Sequence, residues 1–217
     1  MSRKPGLYDR LSKYDLIIFD VDGTLYFQRG MQIRMAWRLI RHALLERHGV
    51  RDLSLILKYR SIREKWDSSR AVDDERIFAS LSSKTGVDSG VIRAVIKEWM
   101  LDRPMDVVHE CRDQELVMVI ERLRSDGKQV VLYSDYPTED KCRAAGLPDD
   151  IPQFYCGQDD IRTMKPNPSG LFYIMSLYPE ITRERVIMVG DRADRDGAAA
   201  ENAGISSLIL GRFKVIR

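Results

Sequence analysis

Leu16-Ile17-Ile18-Phe19 is a run of four apolar residues that stops at an acid, Asp20, and passes through Val21 to a second acid, Asp22, and a glycine. A short apolar run closed by a turn signal reads as a buried strand. Both acids then sit where the strand stops, at the edge where open α/β sheets hold ligands. If Val21 continues the extended backbone, Asp20 and Asp22 point the same way, because strand side chains alternate with period two. Two carboxylates facing one site repel unless a cation or a shared proton intervenes. Hard divalent cations such as Mg²⁺ take oxygen ligands, often one or two carboxylates with water and phosphate. The same residues also read as a polar strand end with a turn at Asp22-Gly23, and a motif this short cannot separate the two.

The rest of the chain separates them. The first strand is read at residues 15–20, after a polar lead-in along the surface at 2–13. A second apolar run, 129–133, ends at Ser134-Asp135, and a third, 186–189, ends at Gly190-Asp191. Residues 154–156 and 207–210 are shorter strand candidates. Helical patterns lie between them: Leu116, Val119, Ile120 and Leu123 closed by Asp126-Gly127, then 137–145, 169–177 and 196–203. Strand–helix alternation implies a mostly parallel sheet with right-handed crossovers. Residues 31–101 differ. After a turn at Gln28-Arg29-Gly30, helices are predicted over 31–48, 53–66, 73–84 and 89–101, with Gly49 as a C-terminal cap of the first. Ile33, Ala36, Trp37, Ile40 and Leu44 mark one apolar helix face.

Parallel strands bring their C-terminal ends to one edge. Asp20, Asp22, Ser134 and Asp191 therefore converge, and Lys165 opens a loop just before a helix. Carboxylates, a hydroxyl and an ammonium in one crevice point to catalysis rather than to a polar strand end.

At 217 residues, 44% hydrophobic and 31% charged, the chain can pack a core. A formal charge of +2 speaks against a dedicated nucleic-acid binder. Cys111, Cys142 and Cys156 have neither metal-ligand spacing nor a disulfide framework, which fits a reducing compartment. Residues 1–14 carry no apolar leader, and no run is long enough for a bilayer, so a cytoplasmic protein is expected.

Phe19-Asp20-Val21-Asp22-Gly23-Thr24-Leu25, Ser134, Lys165-Pro166 and Gly190-Asp191 followed by Asp196 resemble the four ordered motifs of the haloacid dehalogenase (HAD) superfamily. The resemblance covers about residues 13–26 and 113–211. It implies an α/β fold: a Rossmann-like parallel-sheet core at 1–26 and 112–217, with an all-helical cap of the C1 type inserted at 27–111. It also implies Asp20 as the nucleophile that forms an aspartyl-phosphate, and Asp22 as the general acid and base. Mg²⁺ would be held by the Asp20 carboxylate, the Asp22 carbonyl and Asp191. Lys165 and Ser134 would contact the phosphoryl oxygens. Asp196, chosen over Asp194 on spacing, would support Lys165 or a metal-bound water. Gly23 would permit the turn and Thr24 would hydrogen-bond within it. Asp135 is a departure, since an added negative charge beside a phosphate is costly unless it points away or pairs.

Within that family an acid two residues after the nucleophile marks phosphatases and phosphomutases, because an alkoxide leaving group needs a proton and a halide does not. The expected activity is hydrolysis of a small phosphorylated metabolite. A phosphomutase, or a binding protein on a silent fold, is the alternative. Arg29, Arg34, Arg38, Arg41, Arg47, Arg51, Lys58, Arg60, Arg63, Lys65 and Arg70 make the insertion basic. Most are expected to face water. Arg29, nearest the first motif, is the candidate to grip an anionic substrate, with contact to an acidic membrane surface as a further expectation. His42, His48 and His109 lack ligand spacing, and Trp37, Trp66 and Trp99 are expected to pack within the helical block.

Overall fold

The computed structural model describes residues 6–158 and 160–211; the lead-in at 2–5 and the core tail at 212–217 lie outside them. Five parallel strands build the sheet: β1 (Leu16–Phe19), β2 (Gln129–Ser134), β3 (Gln153–Tyr155), β4 (Val186–Gly190) and β5 (Ser206–Ile209), in the order β3-β2-β1-β4-β5. Chain order reverses at β1, which pairs with β2 on one side and β4 on the other. A crevice opens at such a switch point, outside the C-terminal strand ends. Phe19 is in register with Leu132 and Val189, so the next residues of all three strands meet at that crevice.

Alternation distributes the core. Ile17, Phe19, Val130, Leu132, Ile187 and Val189 face one layer, with α1 (Leu7–Leu11) and α7 (Gln114–Ser125). Leu16, Ile18, Val131, Tyr133, Val186 and Met188 face the other, with α9 (Ser169–Ser176) and α10 (Ala198–Ala203). The lead-in thus does not run wholly along the surface as expected: residues 7–11 form α1, and Leu11 is fully buried. Its two leucines, Leu7 and Leu11, stand four apart at helical spacing, too short a pattern to mark a helix face alone.

Between β1 and α7 every element is helical: α2 (Gln28–Leu45), α3 (Gly49–Glu64), α4 (Asp74–Thr85), α5 (Ser89–Lys97) and α6 (Met105–Cys111). A π-helical turn over Glu98–Asp102 extends α5, and α8 (Glu139–Ala144) follows β2. Asp73, Asp88 and Asp113 cap α4, α5 and α7 through their carboxylates, as acids at a helix start should. Chain entry and exit of the helical segment meet. The Phe27 amide donates to the Cys111 carbonyl at 2.9 Å, and that of Asp113 to Leu25 at 2.9 Å.

Three expectations fail here. The turn expected at residues 28–30 is the first turn of α2. Gly49 is not a cap: α2 ends at Leu45, and Gly49 starts α3. It is glycine because a Cβ there would lie 2.1 Å from the His42 carbonyl oxygen. The apolar stripe of α2 exists, yet Ile33, Trp37, Ile40 and Leu44 face outward, Trp37 with 69% of its surface exposed. Trp99 is buried as expected. Periodicity tells which residues share a face, and says nothing about what covers it.

Candidate active site

Asp20 directly follows β1 and stays in the ladder, its amide donating to Val189 at 2.8 Å. The chain then turns at Gly23 with φ of 90°. A Cβ there would fall 2.2 Å from Asp191 Oδ2, so only glycine lets the turn pass this close to the end of β4. Thr24 donates its hydroxyl to Asp20 Oδ2 at 2.9 Å.

Lys165 is buried, and its ammonium lies 2.5 Å from Asp20 Oδ1 and 2.7 Å from Asp196 Oδ1. Asp196 is therefore the acid in contact with Lys165, and the exposed Asp194 pairs with Arg192 at 2.7 Å instead. The second oxygen of Asp196 accepts the Arg192 amide at 3.1 Å. Carboxylate oxygens of Asp20, Asp191 and Asp196 lie within 4.8 Å of one another.

Asp22 has a different environment. Ser134 Oγ donates to its Oδ2 at 3.0 Å and accepts the Tyr136 amide at 3.1 Å. The Tyr26 hydroxyl donates to its Oδ1. Lys141 Nζ, from α8, lies 2.6 and 2.8 Å from the two oxygens. Sequence reasoning missed Lys141. It is 119 positions from Asp22, inside a short charged helix, and nothing in the pattern sets it apart from other lysines. Asp135 lines the same crevice and is paired there, accepting the Lys165 amide at 2.9 Å and lying 4.0 Å from Arg195. Arg29 is exposed and does not line the cavity over these acids; Arg60, Arg192 and Arg195 do.

The chain matches the family model of haloacid dehalogenase-like hydrolases over residues 14–204. It belongs to that family. None of the curated proteins matches it in sequence. Among solved structures it is similar to YfnB from Bacillus subtilis, described as a HAD-hydrolase bound to magnesium. That pair shares 16% identity over 94% of this chain and 92% of that one, with a TM-score of 0.62. A HAD phosphatase from Thermococcus onnurineus gives 18% identity, 94% and 89% coverage and 0.59. A dehalogenase solved as an intermediate complex gives 16%, 94% and 88%, and 0.57. At these identities the likeness is one of fold.

Electrostatics divide the site of this hydrolase in two. Burial, with Asp196 adding to it, pushes Asp191 up to about 6, and no cationic side chain among the described residues pairs with it. Burial also drives Asp20 well above the usual carboxylate range, against the pull of Lys165. Lys165 is raised as well: burial disfavours its charge, but Asp20, Asp196 and Asp135 outweigh that. Around Asp20 and Asp191, then, negative charge exceeds what one lysine offsets. Hard carboxylate oxygens in such a deficit suit a divalent cation. At Asp22, burial is more than offset by Lys141 and the hydroxyls of Tyr26 and Ser134, so its carboxyl sits below the usual range. No helix among the described residues is long and apolar enough to cross a membrane.

Proposed function

We propose that the protein is a Mg²⁺-dependent phosphomonoesterase that works through an aspartyl-phosphate on Asp20. The observation that carries this is the meeting of Asp20, Asp22, Asp191 and Lys165 around one cavity at the sheet edge. Carboxylates and a buried ammonium gathered in one crevice supply a nucleophile, a proton carrier and ligands for a cation. Residues 27–111 act as the cap over this site, and residues 1–26 and 112–217 as the core.

Asp20 attacks phosphorus. Thr24 and Lys165 each occupy one of its oxygens, fixing the carboxylate plane while leaving lone pairs for the attack. Lys165, itself held by Asp196, supplies positive charge for the phosphoryl group. An anionic phosphoryl group beside Asp22 works against the hold of Lys141 and raises its carboxyl, so that Asp22 can carry a proton to the leaving alkoxide and later take one from the attacking water. Ser134 donates to Asp22 and orients it, and from the cavity wall it would also contact a phosphoryl oxygen. The Asp20 and Asp191 carboxylates and the Asp22 carbonyl would hold Mg²⁺, which offsets the repulsion between these acids and an anionic substrate. The presence of Asp22 favours an ester over a halide, because only the alkoxide needs its proton.

The test is hydrolysis of p-nitrophenyl phosphate. With Mg²⁺ the wild-type protein is expected to release phosphate, and the Asp20→Asn variant to lose at least about 10³-fold in kcat. Equal rates for the two proteins would end the reading.

A further inference from the structure

The cavity above Asp20 and Asp22 is large, about 800 Å³, and runs up between α2 and α3. Its lining changes with distance from the acids. On α2 it passes from Gln28, whose side chain reaches Gly23, through Gln32 to Met35, Leu39 and Ile40. Along α3 it passes from Glu64, which pairs with Arg192 beside the acids, through Arg60 to Leu57, Ile56 and Leu53. Trp99 and Met100 close the far part. Both helices thus turn polar groups toward the chemistry and hydrocarbon away from it. From Gln28 to Ile40 the helix rises about 18 Å.

Sugar hydroxyls in the far part would lose water and find few partners, which is costly. A hydrocarbon there gains from burial, and Met35 and Met100 adapt to an irregular chain. The cavity also reaches the surface. Ile40 and Leu57 line it and are 46% and 57% exposed. Ile40 belongs as well to the outward stripe of Ile33, Trp37 and Leu44, so apolar surface continues from inside the cavity onto the outer face of α2.

We infer that the substrate is the phosphate monoester of an elongated apolar alcohol, with its phosphate at Asp20 and its hydrocarbon tail lodged between α2 and α3. This rests on the phosphomonoesterase reading and narrows it. A tail longer than the cavity leaves between Ile40 and Leu57 and lies along the stripe.

The experiment is a homologous series, methyl, butyl, octyl and dodecyl phosphate, with glucose 6-phosphate alongside, in Mg²⁺ and below micelle formation. The value of kcat/KM is expected to rise about fourfold per methylene from butyl to octyl, leaving glucose 6-phosphate far behind. Calorimetric binding of butyl and octyl phosphate to the Asp20→Asn protein is expected to show the same ratio without turnover. Leu57→Asp, exposed at the mouth, is expected to cut the dodecyl-to-butyl ratio at least about tenfold with the melting temperature retained. A flat series, or preference for the sugar phosphate, with p-nitrophenyl phosphate still hydrolysed, would overturn the substrate class and leave the phosphatase reading standing. Hydrolysis of none of these esters would remove both.

Discussion

Lys141 and Asp22 form the least anticipated contact in the site, a two-pronged ion pair with little solvent around the ammonium. Removing one partner of such a pair leaves the other charge stranded. Lys141→Met is expected to cost about 3 kcal/mol in urea denaturation, with Lys141→Arg recovering part of it. An unchanged midpoint would mean that Asp22 finds water instead. Asp15 offers a contrast at the surface, where Arg185 and Lys128 hold its carboxyl down at about 2. Its folded value lies below the unfolded one of about 3.9. The stabilisation is therefore present above that unfolded value and is lost as pH falls toward 2. With side chains this exposed, Asp15→Asn is expected to cost about 0.5–1 kcal/mol at pH 7. The gap between variant and wild type should close on acidification from pH 4 to pH 2; a gap that persists would deny the pairing. Asp20, Asp191 and Lys165 were legible in sequence because each follows a recognisable strand or loop signal. Lys141 was not, since its role is created by a fold that joins distant segments.

Among the elements, the sheet was readable almost to the residue, for buried parallel strands are near-continuous apolar runs bounded by turns. The helical segment was readable only in kind. Its boundaries moved at Gln28 and at Gly49, because a glycine between two helices looks the same in sequence whether it ends one or lets the other pass close. Gly49→Ala tests which. Steric overlap with the His42 carbonyl is expected to cost about 2 kcal/mol and to lower the melting temperature by about 4–8 °C. Helix propensity alone would raise it. The outward stripe on α2 carries the same lesson. Trp37 has the spacing of a core residue and the exposure of a surface one.

At the scale of the molecule, one buried arginine ties the helical segment to the catalytic floor. Arg63 of α3 donates to the Asp135 carbonyl at 2.7 Å and to Asp74 at 3.1 Å, and lies over the Tyr136 ring at 4.6 Å. It therefore braces the segment that carries Ser134. Arg63→Met keeps bulk and loses the bonds. Its kcat/KM for p-nitrophenyl phosphate is expected to fall about 10- to 100-fold through misplaced groups, with a change confined to stability counting against the brace. Another tie is covalent. Leu25 to Phe27 and Cys111 to Asp113 run side by side, stitched by two peptide hydrogen bonds. An excursion of more than eighty residues thus leaves and rejoins the sheet at a single doorway. Lengthening, shortening or exchanging what lies beyond that doorway need not shift the strand register by one residue. A lineage built on this plan is free to rebuild its roof for new cargo while the reactive floor stays as it was.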